Sequence, residues 1–464
     1  MNARRLFPPC LGLLLSVNSG VATVRYVDVN STTPSAPYIS WGTAATAIQS
    51  AVDVSVAGDE VVVSNGVYAT GGATTSDSVS NRVEVNKAIM VRSVNGPQFT
   101  TIRGLQIGFA TNAAGGVRCV YLTNNATLSG FTLVFGSAPL GGGVLCEDGS
   151  SVVTNCIFTR NAGGQSGGGI YNGTIYNSSF IANVVTNGGA AAYNSALINC
   201  TVTSNSAVFF GGGAAYCTLL SCIVRGNTSQ GNGGGVDECQ ATNCLLIANS
   251  AATSGGGAYG GRLYNCTVVG NSAGVSGGGG YGFDSFHIHD TCNLYNSIIY
   301  SNMVAMAEDE CWCTQYDCCT PTNSGPSFGR IAGPPLFVDQ AAVNFRLQSA
   351  SPCIDAGDNS FIGAANDLDG NPRIVGASVD IGAYEFQPAD LNGPPALTAR
   401  LSGNTLNLAW PLWASNYALV EASSVSSPAV TWTNTPGTVV VSNAQNNVTV
   451  PKNATIKLYM LQKP

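Results

Sequence analysis

Apolar and polar positions recur along this chain with a period of 22 residues, from about Gly141 to Asn302. Each repeat contains short apolar runs that alternate with polar residues and a cluster of glycines, and none shows the 3.6-residue period of a helix. A unit of this length is too short for a helix pair or a propeller blade, but it fits one turn of a solenoid with three short strands. The pattern therefore predicts an all-β fold, a right-handed parallel β-helix with 22-residue rungs.

Asparagine keeps the strictest spacing in the repeat. It recurs every 22 residues, with one insertion of nine residues before its last copy, at Asn161, Asn183, Asn205, Asn227, Asn249, Asn271 and Asn302. Successive rungs of a β-solenoid stack about 4.8 Å apart, so each repeated residue becomes a ladder. An asparagine that points inward at a bend can bond to its copies above and below. We therefore expect a buried asparagine ladder, with glycine at bends that need positive φ.

Cysteine forms a second column. Cys200, Cys222, Cys244 and Cys266 share the 22-residue spacing. Their parallel side chains would keep the Cβ atoms about 4.8 Å apart, beyond the roughly 3.8 Å that a disulfide prefers. We interpret this column as buried free thiols that serve as small apolar filler.

Several segments carry a resemblance to known proteins. The Phe-x-x-Asn pairs at 158–161 and 180–183, with their glycine clusters, resemble the repeats of polymorphic outer-membrane proteins and other pectate-lyase-like β-helix adhesins. Residues 25–104 are similar to the capping start of secreted bacterial β-helix proteins, and residues 335–385 resemble the choice-of-anchor Q family. The resemblance implies an exported protein, extracellular or at the cell surface of a bacterium.

The chain divides into four predicted parts. Residues 1–22 read as a signal peptide, with two arginines, an apolar stretch and small residues before the expected cleavage point. Residues 23–386 form the predicted β-helix, with an N-terminal cap over 23–104 and irregular C-terminal rungs over 282–386. Residues 387–395 are a linker, and residues 396–464 are a small β-sandwich similar to fibronectin-like tails. No later stretch is long and apolar enough for a transmembrane span.

The composition limits the classes of partner that the protein is expected to bind. Charged residues make up 9% of the chain, the formal net charge is −7 and there are only four lysines. No basic stripe exists to neutralise phosphates, so we expect no nucleic-acid partner. We expect a monomer.

A second group of cysteines falls where the repeat breaks. It comprises Cys292, Cys311, Cys313, Cys318, Cys319 and Cys353, preceded by the chain's only histidines, His287 and His289. In an oxidising compartment such a loop is typically held by disulfides, whose connectivity the spacing does not give. A zinc site is the alternative.

An acidic segment follows. Asp355, Asp358, Asp367 and Asp369 include an Asp-x-Asp-Gly-Asn run with the oxygen-rich character of a calcium loop, although the bidentate glutamate of an EF-hand is missing. Asp and Asn side chains that bond their own backbone in turns are the first interpretation, without a cofactor. Calcium binding is the alternative.

Tyrosines follow the glycine clusters at near-repeat spacing, at Tyr171, Tyr193, Tyr216, Tyr259 and Tyr281. If their rings point outward, they form a flat platform on which sugar rings can stack. If the rings point inward, they belong to the core. The sequence leaves both readings open.

Catalysis on a polysaccharide needs paired carboxylates, or acids with an Arg or Lys base. Few acids occur in the repeats, and none recurs at the 22-residue spacing. Asp237 and Glu238 are adjacent, and adjacent strand residues face opposite sides. The sequence therefore favours a non-catalytic surface or matrix protein that adheres or binds polysaccharide or cell-surface glycans. The alternative is a polysaccharide lyase or glycoside hydrolase.

Overall fold

The computed structural model describes residues 22–75, 78–107, 115–282, 291–305, 307–308, 311–321, 326–387, 397–402, 405–411, 417–422, 432–435, 438–442, 445–451 and 457–462. The predicted signal peptide except its last residue, the two histidines and all but the first residue of the predicted linker lie outside these ranges. Within them, no helix is long and apolar enough to cross a membrane.

Three mainly parallel sheets form the β-helix, and each regular rung passes through all three. One rung runs through Val236–Asp237 and Gln240–Thr242 in sheet A, Leu245–Ile247 in sheet B and Ser250–Ala251 in sheet C. Within the regular repeat, strands pair in parallel with the strand 22 residues further on, as Leu245 does with Thr267. The predicted parallel β-helix is confirmed.

The strands of the three sheets have the following bounds. Sheet A contains Val24–Val27, Glu60–Val63, Ala73–Thr74, Ser80–Val85, Met90–Ser93, Val117–Leu122, Thr127–Ser129, Val144–Cys146, Val152–Thr154, Ile170–Tyr176, Ala192–Ile198, Ala214–Ala215, Thr218–Leu220, Val236–Asp237, Gln240–Thr242, Ala258–Tyr259, Gly261–Tyr264, Gly280–Tyr281, Cys292–Tyr295, Cys311–Trp312, Thr314–Tyr316 and Ser327–Phe328. Sheet B contains Gly66–Tyr68, Thr100–Arg103, Thr132–Val134, Ile157–Thr159, Ser179–Ile181, Thr201–Thr203, Ile223–Arg225, Leu245–Ile247, Thr267–Val269 and Ile298–Tyr300. Sheet C contains Ser137–Leu140, Ala162–Ser166, Val184–Val185, Ser206–Ala207, Thr228–Ser229, Ser250–Ala251, Ser272–Ala273, Met303–Val304 and Ala307–Glu308.

The predicted asparagine ladder lies at the bend between sheets B and C. The Nδ2 atom and the backbone N–H of Asn183 both donate to Oδ1 of Asn205, each at 2.9 Å. The Nδ2 atom also donates to the carbonyl of Phe158 at 2.9 Å. The side-chain bond recurs at every step from Asn161 to Asn302, and all seven asparagines are buried. Each side chain thus satisfies a backbone N–H that the bend would otherwise leave without a partner.

The predicted column of buried free thiols is also present. Its thiols do more than fill space, because Sγ of Cys244 accepts from the N–H of Cys222 at 3.4 Å and donates to the carbonyl of Thr242 at 3.2 Å. Ser178 occupies the same position in another rung and makes the same pair of bonds. Burial raises the pKa of the Cys200 and Cys244 thiols, which keeps them neutral.

These bonds predict how Cys244 tolerates substitution. Cys244→Ser keeps a donor and an acceptor, so we expect it to be nearly as stable as the wild type. Cys244→Ala leaves the buried N–H of Cys222 without an acceptor, which costs about 1–3 kcal/mol. Thermal unfolding of the two variants measures the difference. Equal destabilisation by serine and alanine would show that the sulfur is only filler.

A short helix, Ile48–Asp53, covers the N-terminal end of the β-helix. Its apolar residues Ile48, Ala51 and Val52 join the main core cluster. A 3₁₀ turn, Trp41–Thr43, precedes it. The open end of the core is thereby shielded from water at this side.

The chain after Ile331 leaves the rungs, which differs from the predicted irregular rungs over 282–386. Residues 337–386, here called the C-terminal wrap, contain the antiparallel pair Phe337–Asp339 and Asn344–Leu347 and the 3₁₀ turn Asn359–Phe361. A second core cluster joins the wrap to apolar side chains of sheet B, such as Leu245 and Ile298. These side chains alternate along their strands with inward ones, so they point away from the main core. The wrap therefore packs against the outer face of sheet B.

The C-terminal residues form two small antiparallel sheets. One contains Thr398–Ser402, Thr405–Pro411, Val440–Ser442 and Gln445–Pro451, and the other contains Ala418–Ala422, Thr433–Asn434 and Leu458–Gln462. One apolar cluster, which includes Leu408, Trp410 and Leu419, draws on both sheets. This arrangement is that of a small sandwich.

Candidate functional site

The tyrosine column lies on the outer face of sheet A. The residues before Tyr171, Tyr193 and Tyr259, which are Ile170, Ala192 and Ala258, belong to the core, so these tyrosines point outward. Tyr171 and Tyr193 stack with ring centroids 5.4 Å apart and planes 6° apart. Tyr259 and Tyr281 stack at 5.7 Å. The outward alternative is therefore the one that the structure shows.

Asp237 interrupts this column at its centre. The paired positions run in the order Tyr193, Ala215, Asp237 and Tyr259. Tyr216 comes one residue later in its rung, at a bend with φ of 53°, and is 48% exposed. Its ring lies 5.3 Å from that of Tyr193. The aromatic surface thus borders an acidic position on the same face.

Asp237 and Glu238 both lie outside the core, which corrects the expectation that they face opposite sides. The residues on either side, Val236 and Cys239, are both in the core cluster. Glu238 has φ of 47°, and a left-handed bend breaks the strict alternation of an extended strand. The structure therefore places two consecutive carboxylates on the outer face of sheet A.

Glycines make room for both carboxylates. A Cβ atom at Gly260, the equivalent position one rung after Glu238, would lie 1.9 Å from Glu238 Oε1. A Cβ atom at Gly233 would lie 2.9 Å from Asp237 Oδ2. Asp237 is only 5% exposed, whereas Glu238 is half-buried. Glu238 is therefore the more exposed acid of the pair, although its Oε1 atom is itself buried.

Charged and titratable groups surround Asp237 and Glu238, and Asp237 acts electrostatically on one of the tyrosines. Burial raises the pKa of Tyr193, and the nearby Tyr171 and the negative charge of Asp237 raise it further. Arg262 lies on the next rung, in register with Gln240, and is exposed. Glu238, Asp237 and Arg262 thus provide acids and a cation beside an aromatic surface, which are the groups that chemistry on a sugar polymer needs.

The candidate calcium residues bond within the C-terminal wrap. Asp367 Oδ1 accepts from the N–H groups of Asp369 and Asn371, and Asp369 forms an ion pair with Arg346. Asp355 accepts from Ala377, and Asp358 accepts from Ser360. In the described parts of the chain, no group of three or more His, Cys, Asp or Glu side chains is arranged to hold a metal ion. The contacts of Asp367 and Asp358 are those of turn-forming side chains, whereas Asp355 and Asp369 bond to residues 22 and 23 positions away.

Buried acids in the wrap predict a pH dependence of stability. Burial raises the pKa of Glu385 from 4.5 to about 7, although its carboxylate accepts from the N–H groups of Asp380 and Val375. Burial and the charge of Asp369 raise the pKa of Asp367 from 3.8 to about 6. The folded state therefore binds more protons than the unfolded state between these values. The contribution of these two groups to stability is greatest at low pH and falls as the pH rises to about 7.

Thermal unfolding between pH 4.5 and pH 7 measures this effect. We expect the midpoint temperature of the wild type to fall across this interval and that of Glu385→Gln to fall less, because glutamine does not titrate. Parallel curves for the two proteins would contradict the assignment to Glu385.

One pair from the second cysteine group forms a disulfide, between Cys292 and Cys313. These residues lie on adjacent rungs with Cα atoms 4.7 Å apart, so rung spacing alone does not prevent a disulfide, contrary to the argument from Cβ separation. Cys318, Cys319 and Cys353 are buried, and Cys319 and Cys353 are free. A hydrogen bond with Cys319, together with burial, raises the pKa of Cys353. The side chain of Cys311 lies outside the described residues.

A second aromatic column on sheet A was not predicted. Tyr264, Tyr295 and Tyr316 stack at 4.7 and 4.9 Å, and Phe328 continues the stack at 5.2 Å. Phe361 of the C-terminal wrap packs against Tyr295 at 4.7 Å. The column therefore contacts the C-terminal wrap through Phe361. The nine-residue insertion separates Tyr264 from Tyr295 by more than 22 residues, so the repeat spacing does not reveal this column.

Known structures resemble this fold. A pectate lyase, Pel9A, is 16% identical, and the match covers 79% of this chain and 98% of that chain with a TM-score of 0.50. A rhamnogalacturonan lyase is 12% identical over 80% of this chain and 98% of that chain, with a TM-score of 0.40. No protein-family model and no curated protein matches the sequence. Likeness at this level of identity shows the fold alone.

Proposed function

We propose that this protein is an exported bacterial enzyme that cleaves a polysaccharide bound along the outer face of sheet A. The observation that carries this proposal is the pair Asp237 and Glu238 on that face, between the stacked tyrosines. One argument for the non-catalytic interpretation was that these two residues face opposite sides. Their shared face removes that argument.

The tyrosines supply the binding surface. Stacked rings of Tyr171 and Tyr193 lie on one side of Asp237, and those of Tyr259 and Tyr281 lie on the other. A polysaccharide that runs parallel to the β-helix axis would place sugar rings on both pairs, with one linkage beside Glu238. The similarity in fold to a pectate lyase supports this choice of substrate class.

The exposure and the charge of each side chain indicate its role in the reaction. Glu238 is the more exposed acid, suited to give or take a proton at the linkage through its other oxygen, Oε2. Asp237, the preceding and less exposed residue, supplies a second negative charge, and hydrolysis uses a pair of carboxylates. Arg262 on the next rung would neutralise the carboxylate of an acidic sugar, a requirement for elimination.

Incubation with a panel of neutral and acidic polysaccharides tests the proposal. We expect the mature protein to release shorter chains from at least one polymer, and Asp237→Asn/Glu238→Gln to release none. Unsaturated sugar ends, detected by ultraviolet absorbance, identify elimination, whereas saturated reducing ends identify hydrolysis. Absence of cleavage across the panel would contradict the proposal.

Glycan binding without cleavage is the second candidate, favoured by the outward tyrosine stacks themselves. A glycan array would then show binding that Tyr193→Ala weakens, while the panel shows no new chain ends. Export would be consistent with the Cys292–Cys313 disulfide, because such bonds persist in oxidising compartments.

A further inference from the structure

The bend between sheets B and C carries two unusual residues. In register along this bend lie Gly104, Phe135, Arg160, Ala182, Ser204, Gly226, Ala248 and Gly270. All except Phe135 and Arg160 are small. Phe135 and Arg160 have φ of 56° and 54°, a left-handed conformation that large side chains rarely adopt. The ladder itself does not need large residues here, because the other rungs form the same bend without them.

These two residues line a cleft of about 490 Å³. Arg103 and Gln106 contribute from the preceding rung, and Ala182 and Val184 contribute from the following one. The guanidinium of Arg103 lies 5.4 Å from the ring centroid of Phe135. The cleft has the volume of a small-molecule site and combines an aromatic wall with two cations.

The charge of the cleft is opposite to that of the protein. The chain has a formal net charge of −7, yet the charged residues lining this cleft are both arginines. Among the ion pairs of the described residues, none involves Arg103 or Arg160. Both side chains are exposed and free to meet an anion.

We propose that this cleft binds an acidic sugar residue of a polysaccharide. The carboxylate or sulfate group lies between Arg103 and Arg160, since guanidinium groups pair with such oxyanions, and the sugar ring packs against Phe135. The cleft lies at the bend between sheets B and C, apart from the tyrosine column of sheet A. It would hold an acidic polymer on the protein, and it does not depend on cleavage at Glu238.

Calorimetric titration with an oligogalacturonate tests the site, in the Glu238→Gln background so that the ligand stays intact. Arg103→Gln/Arg160→Gln is compared with Arg225→Gln, which removes an exposed charge of sheet B outside the cleft. We expect the double variant to lose at least about tenfold in affinity at one site, and the Arg225 variant to keep it. Equal binding by the two variants, or equal binding of a neutral oligosaccharide, would overturn the proposal.

Phe135→Gly separates a sugar site from a site for a free oxyanion. Glycine occupies the same bend at Gly104 and Gly226, so this variant should fold. We expect it to lose affinity for the oligogalacturonate. If inorganic phosphate instead displaces the oligosaccharide completely and Phe135→Gly changes nothing, the cleft binds free anions and the assignment to a sugar is wrong.

Discussion

Glu238→Gln is expected to lower polysaccharide cleavage by about 10²- to 10⁴-fold, the contribution that a positioned general acid or base makes. Glutamine keeps the size of the side chain and fits beside Gly260, so substrate affinity should change little. The loss should therefore fall on kcat rather than on KM. Initial rates on the polymer that the panel identifies measure both constants.

Glu147→Gln is the matched control for this variant. Glu147 is an exposed acid on an earlier rung of the same region, and it accepts a hydrogen bond from Tyr121. Its substitution removes the same charge, and we expect full activity. Equal loss in both variants would indicate a general effect of charge, and unchanged kcat in Glu238→Gln would remove Glu238 from the reaction.

Asn183→Ala is expected to destabilise the β-helix by roughly 2–4 kcal/mol, because it leaves buried polar groups without partners. The Oδ1 atom of Asn183 accepts from both the N–H and the Nδ2 of Asn161, each at 3.0 Å. Alanine removes this acceptor from a fully buried position. The neighbouring rungs hold the bend in place, so water cannot easily replace it.

Asn187→Ala provides the control within the same rung. Asn187 is exposed, and we expect a change within about 0.5 kcal/mol, typical of surface substitutions. Thermal unfolding of the two variants gives the comparison. Similar midpoints for both would mean that the ladder contributes little to stability.

The strict repeat made the rungs predictable. The asparagine column, the thiol column and the parallel pairing all follow from residues that recur every 22 positions. Residues 22 positions apart contact each other because successive rungs stack. The outward direction of the tyrosines could not be read in the same way. Either direction fits the repeat, and only the burial of the preceding residues, such as Ile170, decides it.

The candidate site lies where a local rule fails. The alternation of an extended strand predicts opposite faces for Asp237 and Glu238, but the left-handed bend at Glu238 turns both outward. Glutamate has no particular preference for positive φ, so the residue type at position 238 does not predict such a bend. The equivalent residues in other rungs, Asn172, Asn194 and Gly260, are types that favour positive φ. Their recurrence at this position was the sequence signal for a left-handed bend at Glu238.

The C-terminal wrap was beyond sequence reasoning because its contacts are long-range. Phe361 packs against Tyr295, and the side chain of Asn296 bonds to the backbone of Asp358 at two atoms. Nothing in the local sequence of residues 353–386 specifies that surface. The apolar outer positions of sheet B, including Leu245 and Ile298, are the complementary feature in the rungs.

The central claim is that a polysaccharide lies along the outer face of sheet A with its reacting linkage beside Glu238. A crystal structure of the Glu238→Gln variant with an oligosaccharide of the cleaved polymer tests it most directly. We predict sugar rings stacked on Tyr193 and Tyr259, with one glycosidic oxygen within hydrogen-bond distance of residue 238. An oligosaccharide bound only elsewhere on the protein, with this face empty, would contradict the claim.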